Sequence, residues 1–251
     1  MKKVLVFGDS HVGSLKGVGH QFKSDLVKFD FVGFPLPIAK MLVIDSNGLA
    51  IRPITELERC ANNTELEKWY KQIHRLIHSI DKSGVIKLIN YDYIFVYGGR
   101  FLYHNWYNLT FPDTSYSSGF LEEYASQIIS PTLHYKWLLQ IKKALGNKLK
   151  VISIPEPILN ELVWNYDGVV AQNTDYLALI PNGAKYSECI YNVTKVLTKK
   201  GIDLLPLPVE LFVDDKAVAA KYKSTNPIDF IHLNTEGAKL VLDNITKYIL
   251  N

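Results

Sequence analysis

The sequence has little cysteine and little methionine, two of each in 251 residues. Cys60 and Cys189 cannot build a disulfide framework, and both sit in contexts ordinary for a core. A long hydrophobic run is also missing. Met1-Lys2-Lys3 is followed by only four apolar residues, Val4 to Phe7. That is short of the ~7–15 residues of a signal peptide and far short of the ~18 of a membrane span. A soluble, cytoplasmic protein is expected. Charge of one sign is lacking too: 28 Lys and Arg against 25 Asp and Glu leave +3, too weak to point to nucleic acid. Internal repeats, low-complexity tracts and Gly/Ser linkers are absent. Gly13, Gly17 and Gly19 form neither a dinucleotide fingerprint nor a phosphate loop, and no cofactor is expected.

What is present is ordinary globular composition, 47% apolar and 21% charged, which excludes general disorder. The length allows one large domain or two small ones. A globule of this size buries about 70–75% of its unfolded surface, so it needs neither disulfides nor metal.

Val4-Leu5-Val6-Phe7, ended by Gly8-Asp9-Ser10, reads as a strand buried on both faces. Phe29 to Phe34, closed by Pro35 and Pro37, is a second strand; residues 38–63 show no period and are expected to be irregular. Thr64-Glu65-Leu66-Glu67 has capping-box spacing. Behind it Leu66, Trp69, Tyr70, Ile73, Leu76, Ile77 and Ile80 share one helical face. Tyr91 to Tyr97 reads as a strand before Gly98-Gly99, and Ser130-Pro131 as the start of a helix reaching Gly146. Lys150 to Ile154 is a strand, 187–200 a helix, 202–205 a strand and 235–250 the last helix. Strands alternating with helices predict an α/β fold, a mainly parallel sheet covered on both faces. One domain over 1–251 is preferred. Insertions are expected near 101–120 and 157–185, at the carboxyl edge where such sheets bind ligands.

Gly8-Asp9-Ser10 puts a serine at the carboxyl end of the first buried strand. If a helix follows, its free N–H groups face any negative charge developing there. The plainer reading is a turn or helix cap. Asp229-Phe230-Ile231-His232 precedes the last helix. A serine hydroxyl needs a base, and the base needs a group to fix its tautomer. Asp and His three residues apart let the carboxylate reach Nδ1–H and leave Nε2 for a serine. Here the plainer reading is a capping turn.

Together, Gly8-Asp9-Ser10 and Asp229-x-x-His232 resemble the first and last blocks of the SGNH, or GDSL-type, hydrolases. The longer strings Gly8-Asp9-Ser10-His11 and His232-Leu233-Asn234-x-x-Gly237-Ala238 are similar to the SGNH domains of polysaccharide O-acyltransferases. The resemblance implies a flavodoxin-like, five-stranded α/β/α sandwich with a catalytic Ser10–His232–Asp229 triad. It also implies an oxyanion hole from the Ser10 and Gly33 backbone. Where the family has Gly-x-Asn after its third strand, this chain has Gly98-Gly99-Arg100. Three readings of Arg100 compete: an oxyanion donor, a clamp for an acidic substrate group with Asn105 or Asn108 supplying the amide, or a structural ion pair.

Nine aromatics fall within the 21 residues 91–111. Those on the strand belong to packing. Those beyond Gly99 lie in a presumed loop, where Trp106 and Tyr107, with Asn105 and His11, are candidate substrate contacts. His74 and His78 have metal spacing without a third ligand, so no metal is expected. The lysines around 195–200 and 216–223 read as solvated faces. The function expected is removal of an O-acyl, chiefly O-acetyl, group from a carbohydrate or another small ester. The alternatives are transfer from an acyl donor to a glycan hydroxyl, and non-catalytic glycan binding on the same fold.

Overall fold

Val4, Leu5, Val6 and Phe7 have no exposure at all, and they form the middle of β1 (Lys2–Gly8), an inner strand of the sheet. The computed structural model describes residues 1–20, 25–39, 41–52, 64–98, 106, 116–157, 186–213, 215, 217–226, 229 and 232–251. After β1 come α1 (His11–Gly19), β2 (Val27–Gly33), the short α2 (Leu36–Ala39) and the hairpin β3 (Leu42–Asp45) and β4 (Gly48–Ile51). Next are α3 (Thr64–Ile80), β5 (Tyr93–Tyr97), α4 (Ser118–Ile129), α5 (Leu133–Leu145) and β6 (Lys150–Ile154). The chain ends with α6 (Tyr186–Thr198), β7 (Asp203–Leu204), the small pair β8 (Phe212–Val213) and β9 (Ala217–Val218), and α7 (Thr235–Leu250).

The main sheet has five strands in the order β2-β1-β5-β6-β7, every neighbour parallel. Right-handed crossovers then put α1 on one face and the helices between β2 and β7 on the other, while α7, after the last strand, belongs to no crossover. Helices α1 and α7 pack on each other, while α5 lies on β5 and β6 and α6 on β7. The result is the three-layer α/β/α sandwich expected. The chain crosses to β2 on one side of β1 and returns to β5 on the other, so the connections diverge between β1 and β5 and leave a crevice at their carboxyl ends.

Two expectations need correction. Residues 38–63 are not all irregular, because 42–51 form the β3–β4 hairpin. Its turn, Asp45-Ser46-Asn47-Gly48, is closed by Asp45 Oδ1 accepting from the amides of Asn47 (2.7 Å) and Gly48 (3.3 Å). The flanking runs are four residues each, too short to show a period. The second correction concerns caps. Helix α5 starts after Thr132, whose Oγ1 accepts from the Tyr135 amide at 3.1 Å, not after Ser130-Pro131. Ser130 instead ends an unexpected helix, α4, which begins inside the presumed 101–120 insertion. The expected face of α3 is observed: Ile73 and Ile77 are buried, and Leu66, Trp69, Tyr70, Leu76 and Ile80 pack beside them. Of the presumed insertions, 101–105, 107–115 and 158–185 lie outside the described residues, as does Cys60. Cys189 is buried, and burial pushes its thiol well above the ordinary range.

Candidate active site

Ser10 takes the N-cap position of α1, at the carboxyl end of β1, yet its side chain makes no capping bond. The neighbouring acid does that work: Asp9 Oδ1 accepts from the His11 amide at 3.1 Å. Ser10 Oγ is therefore left for another partner, and it lies 2.8 Å from His232 Nε2. The Asp229 carboxylate reaches His232 Nδ1 with both oxygens at 2.9 Å, and Oδ1 also accepts from the His232 amide at 3.1 Å. Since the carboxylate can only accept, Nδ1 carries the proton and Nε2 presents a lone pair to the serine hydroxyl. His232 and Asp229 are about one-fifth exposed, so the pair is sheltered but open to a ligand.

The second motif is braced from behind. The Ser224 amide donates to the His232 carbonyl at 3.0 Å and the Asn234 amide to the Tyr222 carbonyl at 2.9 Å. The cap of α7 is Asn234, whose Oδ1 accepts from the Gly237 amide at 3.0 Å. Neither Ser10 nor His232 is spent on a cap, because Asp9 and Asn234 supply them, and Asp229 closes its own turn through the His232 amide while it also reaches the ring.

Beneath Ser10, His232 and Asp229 lies a buried polar layer. His11 is 5% exposed, with its ring between those of His232 (centroids 4.8 Å apart) and Tyr97 (5.8 Å). Burial holds its pKa down at about 4, with Asp9 pulling it up and His232 pushing it further down, so the ring is neutral at pH 7. Its Nε2 is 3.9 Å from Glu156 Oε2, and among the described residues its Nδ1 has no hydrogen-bond partner. Glu156, in the Pro155-Glu156-Pro157 stop after β6, was not foreseen as part of the site. The only signal was an acid directly after a buried strand, at the edge where ligands bind. Asp9, His11 and Glu156 are the one group with metal-ligand chemistry among the described residues. Their His11–Glu156 separation exceeds the roughly 3.3 Å between donors of a tetrahedral ion bound at ~2.0–2.1 Å.

Asp9 also explains Gly98, just past β5. That residue has φ +80°, and a Cβ there would collide with the Asp9 carboxylate. At Gly8 a side chain would strike the Tyr97 carbonyl, so β1 and β5 meet more closely at the crevice than larger residues permit. Gly33 ends β2 in register with Gly8, its backbone against Asp9 and Val12. Arg100, Asn105, Tyr107 and Asn108 lie outside the described residues. Trp106 is buried, its ring 6.0 Å from that of Tyr124. His74 and His78 bond to each other: His78 Nδ1 donates to the Lys82 carbonyl (3.2 Å), which leaves its Nε2 to accept from His74 Nε2–H at 3.3 Å.

No family model matches the sequence, and no curated protein matches it. Solved structures do resemble it. The periplasmic domain of a lipopolysaccharide acetyltransferase from Salmonella ser. Paratyphi A is 13% identical, with TM-score 0.43 over 100% of this chain and 84% of that one. A GDSL-like lipase from Bacteroides thetaiotaomicron is 12% identical, with TM-score 0.43 over 99% and 88%. A carbohydrate acetylesterase family member from Sinorhizobium meliloti is 12% identical, with TM-score 0.39 over 99% and 97%. The sheet order is that of a flavodoxin-like α/β/α sandwich, and likenesses at these scores carry no weight for family, reaction or substrate. Among the described residues, no helix is long and apolar enough to cross a membrane.

Proposed function

We propose that the protein is a serine ester hydrolase that removes an O-acyl group, chiefly O-acetyl, from a carbohydrate. The observation that carries this reading is the Ser10 Oγ–His232 Nε2 contact of 2.8 Å, with Asp229 on the other ring nitrogen. Ser10 Oγ bonds to the ester carbonyl carbon while its proton passes to His232 Nε2. The tetrahedral intermediate then collapses, the carbon–oxygen bond to the sugar breaks, and the leaving oxygen takes that proton. Water adds to the acylated Ser10, giving a proton to Nε2. The carboxylic acid departs as the proton returns to Ser10 Oγ.

Asp229 holds the tautomer and offsets the imidazolium charge. The oxyanion meets the Ser10 amide, which finds no acceptor among the described residues and opens a helix whose dipole favours negative charge. Gly33 is the second backbone donor, and Arg100 stands where the family's amide is expected. The carbohydrate substrate is favoured by the Tyr- and Trp-rich segment beyond β5. Trp106 is buried, which leaves Tyr107 and Asn105 as the candidate sugar contacts.

The test is hydrolysis of p-nitrophenyl acetate and of an O-acetylated oligosaccharide by wild type and Ser10→Ala. The variant is expected to lose about a thousandfold or more in kcat. A fluorophosphonate probe should label wild type at Ser10; no labelling and equal rates in both proteins would overturn the hydrolase reading. Acetylated glycan formed in place of free acetate would shift the assignment to acyl transfer.

A further inference from the structure

We infer that the trough between α1 and the segment leading into α7 is a subsite for a neutral glycan chain, extending away from Ser10. The inference rests on the hydrolase reading and deepens it by naming what the substrate is beyond its ester. The trough has a volume of about 290 Å³, near the ~300 Å³ at which ligand clefts begin. One wall is α1, through Gly13, Ser14 and Gly17. The other is the strap of Ser224 and Thr225 with Asn234 and Thr235.

Both walls are tied to the catalytic residues. The Gly13 amide donates to the Ser10 carbonyl at 3.0 Å, and the Ser224 amide to the His232 carbonyl at 3.0 Å. A chain lying in the trough is thereby held at a fixed distance from nucleophile and base.

The lining selects the ligand class. Among the described residues it contains hydroxyls, one amide and two apolar side chains, Val18 and Leu233, with no charged and no aromatic group. Hydroxyls donate and accept, as sugar hydroxyls do. Two apolar residues are too few to bury an acyl tail; among the described residues the lining holds no cation for a carboxylated or phosphorylated chain, and the nearby Lys223 ammonium is engaged by the Ser224 (3.3 Å) and Asn226 (2.8 Å) carbonyls.

The glycines of α1 point the same way. Glycine is the poorest helix former after proline, so each helical glycine calls for a reason. For Gly19 the reason is packing, since a Cβ would strike the Phe31 ring. Gly13 and Gly17 are exposed, and a Cβ on either meets no described atom within 4 Å. Packing within the described protein does not require them. Close approach of a ligand to the α1 backbone does.

The test uses full-length protein and two acetylated series from one to six sugars: xylo-oligosaccharides, which are neutral, and oligogalacturonides, which are carboxylated. Wild type should gain at least tenfold in kcat/KM with length on the neutral series, mainly through KM. Gly17→Gln, which fills the trough from a site free of clashes, should reduce that gain to below twofold while its melting temperature stays at or above wild type. A rate independent of length in wild type, or a gain kept in the variant, overturns the subsite. An equal gain on the carboxylated series overturns its neutrality. If wild type cleaves no ester at all, p-nitrophenyl acetate included, the hydrolase reading fails separately. The subsite is then judged by amide shifts of Gly13, Gly17 and Thr225 in Ser10→Ala protein titrated with xylohexaose: shifts there support it, and none at millimolar sugar overturns it.

Discussion

Asp229 has one carboxylate and two jobs. It orders its own turn through the His232 amide and fixes the ring through Nδ1. Asp229→Asn separates the two. The amide NH2 would donate to Nδ1, forcing the proton onto Nε2, where it can no longer accept from Ser10. A loss of roughly 10³–10⁴ in kcat is expected with little change in folding, read by ester hydrolysis alongside circular dichroism. A variant within tenfold of wild type would mean that the ring is oriented by something else. At this scale the sequence was informative where a residue follows a fixed landmark: Ser10 after a buried strand, Asp229 and His232 before the last helix. It was silent on Glu156, because nothing in Pro155-Glu156-Pro157 says that β6 lies beside β5. It was equally silent on whether Ser10 caps its helix; the Ser10 side chain makes no capping bond, and Asp9 accepts from the His11 amide instead.

Helix α1 carries the conflict at the scale of elements. It follows Ser10 directly, holds three glycines in nine residues, and is nevertheless buried along His11, Val12, Leu15 and Val18. Its stability comes from packing on β2 and α7 rather than from propensity. Gly17→Ala should therefore stabilise the protein by about 0.5–1 kcal/mol in urea unfolding, because the new methyl meets no described neighbour. A destabilised variant would show that the open space is used in the folded state. Long periodic elements such as α3 and α7 were readable from sequence, α7 to the residue. The β3–β4 hairpin and the cap of α5 were not. Four-residue strands carry almost no period, and Ser130, Pro131 and Thr132 all suit a helix start. Only the chain's path decides which of them turns the corner.

For the whole molecule, the interior sets an acid limit. Burial lowers the pKa of both His11 and His134 from 6.5 to about 4. His134 is wedged against Ser153, with Nε2 and Oγ 2.7 Å apart. In the unfolded chain both rings protonate below about pH 6.5, whereas in the fold they stay neutral down to about pH 4. Between those values unfolding takes up protons, so stability rises with pH and is lost as pH falls through the window. The loss is up to roughly 3 kcal/mol per ring, out of a typical total of ~5–15. Urea midpoints should fall steadily from pH 7 to pH 4.5, and His11→Phe should flatten the slope. An unchanged slope in that variant would mean that the His11 ring already protonates in the folded state. No reading of the sequence could have supplied this, since burial of a polar ring depends on which elements close over it.

Ser10 and His232 touch across 222 positions of chain. The strand before Ser10 is an inner strand of the sheet, while the turn bearing His232 is held by a strap and a helix that come late in synthesis. Loop closure over such a span is slow, and the contact exists only after every intervening layer has docked. A ribosome-bound or half-folded intermediate can hold Ser10 in place without His232 beside it. Ester cleavage during refolding should then lag behind the recovery of helix signal, which makes catalytic competence the molecule's own report that assembly is finished.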